Sequence, residues 1–145
     1  MNFRLQDIRE NMELSQKEVA DILKVSQPTY SRWEKEVEII PLNKLILLAN
    51  YYGISLDYIC NLSNIKKESK AYNYKVDKKI SGNNIVTFRK EKNLTQKELA
   101  LFLNTTPSTV CAYEKGKTLI LTSFAYQICK RYNVSMDYIC GITKD

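Results

Sequence analysis

The 145-residue chain contains no histidine and few glycines or prolines, with four and three residues respectively. Histidine is the commonest general base and a frequent metal ligand, so its absence argues against most catalytic and zinc sites. The glycines form no phosphate-binding loop, and no carboxylates cluster outside helix-surface and capping positions. We therefore predict that the protein is not an enzyme and holds no metal or cofactor.

The chain also lacks a cysteine pattern that would indicate a metal site or a catalytic thiol. Its cysteines are Cys60, Cys111, Cys129 and Cys140. None of them forms a C-x-x-C pair, and the sequence offers no plausible disulfide framework. We expect buried or half-buried free thiols, so helical packing must stabilise the fold without covalent help.

Long hydrophobic runs are missing as well. No apolar stretch approaches the roughly 18 residues of a membrane span, and Met1 opens a charged amphipathic segment instead of a signal peptide. We therefore expect a cytoplasmic protein with no membrane contact.

Net charge is +6, but it is unevenly distributed. Residues 1–63 carry seven Lys/Arg and nine Asp/Glu, residues 64–80 carry six and two, and residues 81–145 carry nine and five. Only the middle and the second half are therefore basic. A basic surface favours polyanionic partners such as nucleic acid.

The most informative feature present is an internal repeat, in which residues 4–60 align without a gap with residues 84–140. Residues 14–20 (Leu-Ser-Gln-Lys-Glu-Val-Ala) match residues 94–100 (Leu-Thr-Gln-Lys-Glu-Leu-Ala), and residues 55–60 match 135–140. This spacing is too long for a solenoid, whose units run about 20 to 50 residues. We predict two domains, 1–63 and 81–145, joined by a basic linker at 64–80.

Each repeat is predicted to form five short helices, which makes the protein all-α. Capping boxes mark the start of the second helix: Ser15-x-x-Glu18 and Thr95-x-x-Glu98. In such a box the hydroxyl and the carboxylate satisfy helix N–H groups that would otherwise lack partners. A turn of about three residues follows, and then Ser26 or Thr106 caps a third helix that has one apolar face and one polar face.

Two short helices around a three-residue turn, with a polar face turned outward, form a helix-turn-helix. Residues 14–20 followed by 25–34 resemble the Cro-like, phage-repressor-type helix-turn-helix family, also called the xenobiotic-response-element family. Residues 57–59 and 137–141 are similar to its closing helix. The resemblance implies a transcription regulator, such as a repressor, that binds specific double-stranded DNA sequences with the third helix of each domain in the major groove.

In the first repeat the resemblance assigns DNA contacts to the start of helix two and to the outward face of helix three. The implied residues are Gln16, Gln27, Pro28, Thr29, Arg32 and Lys35. Glutamine can pair with adenine through two hydrogen bonds and arginine with guanine, each contributing about 1–3 kcal/mol of base discrimination. The alternative is that Gln27 and Arg32 only solvate an outward helix face.

The second repeat is expected to read bases less well, because Pro107 and Ala112 replace the glutamine and the arginine of the first. Its candidate DNA-binding residues are Gln96, Ser108, Thr109, Lys115 and Lys117. Ser108 and Thr109 could still reach phosphates or a thymine methyl, and the two lysines could contact the DNA backbone. Base-reading side chains and favourable charge are thus divided between the repeats.

Two further pairs match a helix-one to helix-three ion pair that is typical of the family: Arg9 with Glu34, and Arg89 with Glu114. We expect them to have a structural role and no DNA contact. The family commonly has glycine in the turn where this chain has Lys24 and Asn104. In left-handed geometry a lysine costs about 1 kcal/mol, whereas asparagine is tolerated.

Three alternatives stay open at this point. The protein could be an antitoxin-like or adaptor module in which one or both domains bind a protein partner. The chain could act as an intramolecular pseudo-dimer on two half-sites or associate as a homodimer. Ten tyrosines might indicate stacking on single-stranded nucleic acid, but most fall on apolar helix faces and are predicted to lie in the core: Tyr30, Tyr52, Tyr58, Tyr113, Tyr132 and Tyr138.

Overall fold

The computed structural model of this chain describes residues 1–66 and 74–144. They divide into two compact units, Met1–Asn73 and Tyr74–Asp145. The middle of the predicted linker, residues 67–73, lies outside the described residues.

The helices of the first unit, within residues 1–66, are α1 (Leu5–Asn11), α2 (Gln16–Leu23), α3 (Gln27–Glu34), α4 (Leu42–Tyr52) and α5 (Leu56–Ile59). Within residues 74–144, the second unit contains β1 (Tyr74–Val76), α6 (Lys78–Glu91), α7 (Gln96–Leu103), α8 (Pro107–Glu114), α9 (Thr122–Tyr132), α10 (Met136–Cys140) and β2 (Ile142–Lys144). The predicted all-α class is confirmed, because the described residues are predominantly helical.

Both predicted capping boxes are present. The Ser15 hydroxyl accepts a hydrogen bond from the Glu18 amide at 3.1 Å, and the Glu18 carboxylate accepts one from the Ser15 amide at 3.0 Å. Thr95 and Glu98 form the same pair of bonds at the start of α7. Each box satisfies two N–H groups at the start of the second helix that would otherwise lack a partner.

The core of each unit lies behind its third helix. In α3 the side chains of Tyr30 and Trp33 are 0% and 5% exposed, so one face of this helix is fully packed. Val110 and Tyr113 occupy the equivalent positions in α8 and are also buried. Because the inner face is anchored in this way, the opposite face of each third helix is presented outward.

The second unit differs from the prediction at its start, because residues 74–80, which the sequence placed in the linker, form β1 and the first turn of α6. The Asp77 side chain caps α6 by accepting hydrogen bonds from the amides of Lys79 and Ile80 at 2.8 and 3.1 Å. β1 pairs antiparallel with β2 at the other end of the unit. Because this pairing joins residues far apart in sequence, no local sequence pattern predicts it.

The predicted tyrosine core is partly wrong. Tyr30, Tyr52 and Tyr113 are buried, but Tyr138 is 38% exposed. Tyr58 and Tyr132 are half-buried. The Arg4 guanidinium lies over the ring of Tyr58, 4.2 Å from the ring centroid. Helical periodicity identifies the apolar face of a helix, but it does not show how deeply the side chains of a short terminal helix are buried.

The cysteine prediction is confirmed. Cys60, Cys129 and Cys140 are buried free thiols, and Cys111 is a half-buried one. Throughout residues 1–66 and 74–144, no group of side chains has the composition of a metal site. None of the helices in these ranges is both long and apolar enough to cross a membrane.

Candidate nucleic-acid interface

The helix-turn-helix of the first unit consists of α2, a three-residue turn and α3. Lys24 ends α2 in left-handed geometry, with φ 58° and ψ 44°, and Asn104 ends α7 with φ 57° and ψ 46°. The left-handed turns expected from the sequence are therefore confirmed. The Ser26 side chain then caps α3 by accepting a hydrogen bond from the Thr29 amide at 3.3 Å.

A bidentate ion pair ties the first helix to the end of α3. Arg9 Nε donates to Glu34 Oε1 at 2.5 Å, and Arg9 Nη2 donates to Oε2 at 3.3 Å. Arg9 Nη1 also donates to the Leu14 carbonyl at 2.9 Å. The hydrogen bond with Glu34 raises the pKa of Arg9, although partial burial opposes it. Two parallel hydrogen bonds therefore join the guanidinium to the carboxylate, and a third ties the guanidinium to the backbone before α2.

The second unit contains the equivalent pair. Arg89 Nε donates to Glu114 Oε2 at 2.7 Å, and Nη2 donates to Oε1 at 3.1 Å. The two carboxylate side chains are only 2% and 6% exposed, in Glu34 and Glu114 respectively. These four residues thus lie behind the outward helix face, in the position that a structural role requires.

The buried Glu34 carboxylate also orients two glutamines near the outward face of α3. Gln16 Nε2 donates to Glu34 Oε2 at 2.9 Å, and Gln27 Nε2 donates to Gln16 Oε1 at 3.2 Å. A continuous line of hydrogen bonds therefore runs from Arg9 to the exposed first residue of α3. In the second unit, Gln96 Nε2 donates to Glu114 Oε1 at 2.9 Å. The line of hydrogen bonds ends there, because Pro107 occupies the position equivalent to Gln27.

The remaining candidates of the first unit are mostly solvent-accessible. Pro28, Arg32 and Lys35 are exposed, as is Gln27. Thr29 is half-buried, and its hydroxyl lies 2.8 Å from that of Ser26. The first turn of α3 is thus locally ordered, while its long polar side chains face solvent.

The second unit presents a different outward face. Ser108, Lys115 and Lys117 are exposed, and Thr109 is half-buried. Because the side chains between them are small, a concavity of about 330 Å³ lies against α8, lined in part by Ala112 and Gln96. Within α8, no described residue on this face has a long side chain that could form a fork with a base, since Pro107 and Ala112 stand in place of Gln27 and Arg32.

Two tyrosine hydroxyls lie behind α3. Burial raises the pKa of both Tyr30 and Tyr52, and the nearby Glu34 carboxylate raises them further. The hydroxyl of Tyr52 is enclosed with no hydrogen-bond partner among the described residues. Burial behind the outward face of α3 therefore favours the neutral form of both tyrosines.

The sequence prediction did not identify Glu38 as a partner for Arg32. Arg32 Nε donates to Glu38 Oε1 at 3.1 Å, across the loop that follows α3. The two residues are six positions apart and Glu36 between them is left-handed, with φ 56°, so helical spacing gives no signal. The acidic character of this loop was the only available indication.

Comparisons with known proteins agree with this geometry. The family described as Helix-turn-helix (HTH_3) matches residues 5–59 and 85–139. The uncharacterized HTH-type transcriptional regulator YobD of Bacillus subtilis (strain 168) is 33% identical over 60 residues, which are 41% of this chain and 54% of YobD. The chain thus spans about half the length of this curated relative.

Two solved structures of the clp gene regulator ClgR from Corynebacterium glutamicum are also similar, each at 20% identity over 45% of this chain. Their TM-scores are 0.41 and 0.40, and the matches cover 69% and 84% of those chains.

Proposed function

Because this chain belongs to the Cro/C1-type helix-turn-helix family and carries two tandem copies of it, we propose that it is a transcription regulator that binds specific sequences of double-stranded DNA. In this proposal α3 enters the major groove, and its outward side chains contact base edges. The family match supports the DNA-binding class, and the arrangement of side chains on α3 supports the finer assignment.

The observation that carries the proposal is the hydrogen-bonded pair of Gln16 and Gln27. Gln27 donates one N–H to Gln16, which leaves its second N–H and its Oε1 directed away from that contact. An adenine offers N7 as an acceptor and N6–H as a donor, which complements this pair of groups. Since Gln16 is itself held by Glu34, Gln27 is positioned before DNA arrives.

We assign the second unit a supporting role on the DNA backbone. Lys115 and Lys117 are exposed beside α8, and Ser108 is accessible at its first turn. Such groups contact phosphates and position a protein without reading sequence. The combined site would be asymmetric, with one half well specified by α3 and the other only loosely by α8.

The test is selection of the intact chain against random-sequence duplexes, followed by affinity measurements on single-base variants. Gln27→Ala should relax the preference at one base pair by about 5- to 150-fold, equivalent to about 1–3 kcal/mol. Gln6→Ala is the matched control, since Gln6 is also exposed and bonded to another side chain, Glu10, at 2.8 Å. Uniform weakening on all sequences would indicate phosphate contact only, and no enrichment would favour a protein-interaction module instead.

The stoichiometry of the complex separates two ways of using the repeats. If one chain acts as a pseudo-dimer, sedimentation should give one chain per site, and footprinting should show unequal protection of the two halves. A homodimer reading DNA through its first domains would instead give two chains on a symmetric site. Because the outward faces of α3 and α8 differ, the single-chain arrangement predicts an asymmetric site and the homodimer a palindromic one.

A further inference from the structure

The side chain of Arg32 is held from one side by groups of its own unit. Its Nε donates to Glu38 Oε1 at 3.1 Å, and its Nη2 lies 3.4 Å from the Thr29 hydroxyl. No described residue accepts a hydrogen bond from Nη1. The far end of the guanidinium, formed by its two Nη groups, therefore keeps N–H donors that no described residue engages, on a side chain that is 44% exposed.

Glu38, whose carboxylate accepts from Arg32, lies in a loop that is anchored by hydrogen bonds. The amides of Val37 and Glu38 both donate to the Arg32 carbonyl, at 3.0 and 3.4 Å. Just before them, the Glu36 carboxylate accepts a hydrogen bond from the Phe3 amide at 2.8 Å. Glu38 is thus fixed relative to α3 through its backbone as well as through its side chain.

The second unit keeps the loop but lacks both charged groups. The Lys117 amide donates to the Ala112 carbonyl at 3.0 Å, as in the first unit, yet Ala112 stands in place of the arginine and Thr118 in place of Glu38. The backbone geometry therefore does not require a carboxylate here. Within this chain the acid occurs where the arginine occurs and is absent where the arginine is absent.

A carboxylate beside a DNA-reading face opposes the approach of phosphates, so its presence needs a compensating reason. An unrestrained arginine on a helix surface can also reach phosphates, which carry no sequence information. A carboxylate that accepts from Nε restricts the arginine to orientations in which its two Nη groups are the donors left for an approaching DNA. Guanine presents O6 and N7 as two acceptors for such a fork.

We propose that Glu38 is a specificity-determining positioning residue, which directs the Nη groups of Arg32 toward a guanine and disfavours contact with phosphates. This inference rests on the proposed function, in which α3 reads bases. It adds that discrimination on this face depends on a residue that need not touch a base, and that the same residue lowers affinity for non-specific DNA.

The test uses the full chain and the duplex that it selects. The relevant base pair is the one at which Arg32→Ala reduces discrimination most, and the discrimination that remains there is compared between wild type and variants. Glu38→Ala should lower this discrimination about twofold to fivefold, as for loss of an exposed ion pair, while affinity for non-specific duplex rises. Glu38→Gln should retain most of the discrimination, because its amide oxygen still accepts from Nε, but should also bind non-specific DNA more tightly.

Two further variants distinguish positioning from a general effect of charge. In Arg32→Ala/Glu38→Ala, discrimination at that base pair should equal that of Arg32→Ala alone, since Glu38 acts through the arginine. Asp21→Ala removes another exposed acid, paired with Lys17 at 3.6 Å, and should leave the discrimination unchanged.

The possible failures are distinguishable. If Arg32→Ala removes a base preference but Glu38→Ala does not, the positioning role is refuted and the proposed function stands. If Glu38→Ala lowers discrimination equally in the absence of Arg32, the carboxylate acts on DNA by itself and the inference is wrong. If the wild-type chain enriches no sequence, the proposed function fails and this inference fails with it.

Discussion

Replacement of Arg9 by methionine should destabilise the first unit by about 3 kcal/mol, because it leaves a buried carboxylate without its cation. The Glu34 side chain is 2% exposed and that of Arg9 is 11% exposed, so neither charge is well solvated. Breaking a fully buried pair costs about 3–5 kcal/mol. We place this pair at the lower end of that range because Gln16 continues to donate to the carboxylate.

The single tryptophan of the chain supplies a selective assay. Trp33 precedes Glu34 in α3 and is 5% exposed, so its fluorescence in a urea titration reports the unfolding of the first unit. Arg89→Met breaks the equivalent pair in the second unit and is the matched control. It should leave the Trp33 transition unchanged, whereas Arg9→Met should lower the midpoint with little change in slope.

A double variant separates the pair itself from the penalty of a lone charge. In Arg9→Met/Glu34→Gln no buried charge remains, so at least half of the lost free energy of unfolding should return. A loss below about 0.5 kcal/mol for Arg9→Met alone would equal the effect of an ordinary surface pair and refute this reasoning. Equal losses in the single and double variants would show that the uncompensated charge is not the cause.

Three other predictions concern the turn, the buried tyrosine and the basic face. Lys24→Gly should stabilise the first unit by about 1 kcal/mol in the same fluorescence assay, because φ there is 58°, and destabilisation would contradict it. Burial raises the pKa of Tyr52 in the folded state, so the neutral hydroxyl stabilises the fold below about pH 10 and this contribution is lost as pH rises above it. Tyr52→Phe should reduce that alkaline decline, unlike the control Tyr51→Phe at a 53% exposed position; equal declines would exclude this cause. Lys117→Ala should lower the slope of log affinity against log salt by about 1, whereas a slope matching that of the control Lys130→Ala would remove Lys117 from the interface.

Much of the helical framework could be predicted from sequence because its signals are local. A hydroxyl followed three residues later by glutamate, as at Ser15 and Glu18, specifies a helix start almost independently of the surrounding fold. The buried face of α3 follows equally from the spacing of Tyr30 and Trp33. These predictions are confirmed in both repeats. The alignment of the two repeats helped, because each local signal occurs twice at equivalent positions.

The parts that could not be predicted depend on contacts that are distant in sequence or on loop geometry. The β1–β2 ribbon pairs Val76 with Ile142, and a three-residue strand rich in polar groups has no periodicity to detect. The line of hydrogen bonds from Glu34 to Gln27 requires the angle between α2 and α3. The contact between Arg32 and Glu38 requires the loop after α3, whose course depends on one left-handed residue.

The positive-φ positions explain how one scaffold supports two different faces. In the second unit, three of these turns have asparagine or glycine, at Asn93, Asn104 and Gly116, where left-handed geometry costs little. The first unit places Glu13, Lys24 and Glu36 at the equivalent positions and so carries more backbone strain. At the third position the strain accompanies a gain, because the carboxylate there accepts hydrogen bonds from the Asn2 and Phe3 amides and anchors the loop of Glu38. The strained turn and the restrained arginine therefore occur together, and the unit with relaxed turns has neither.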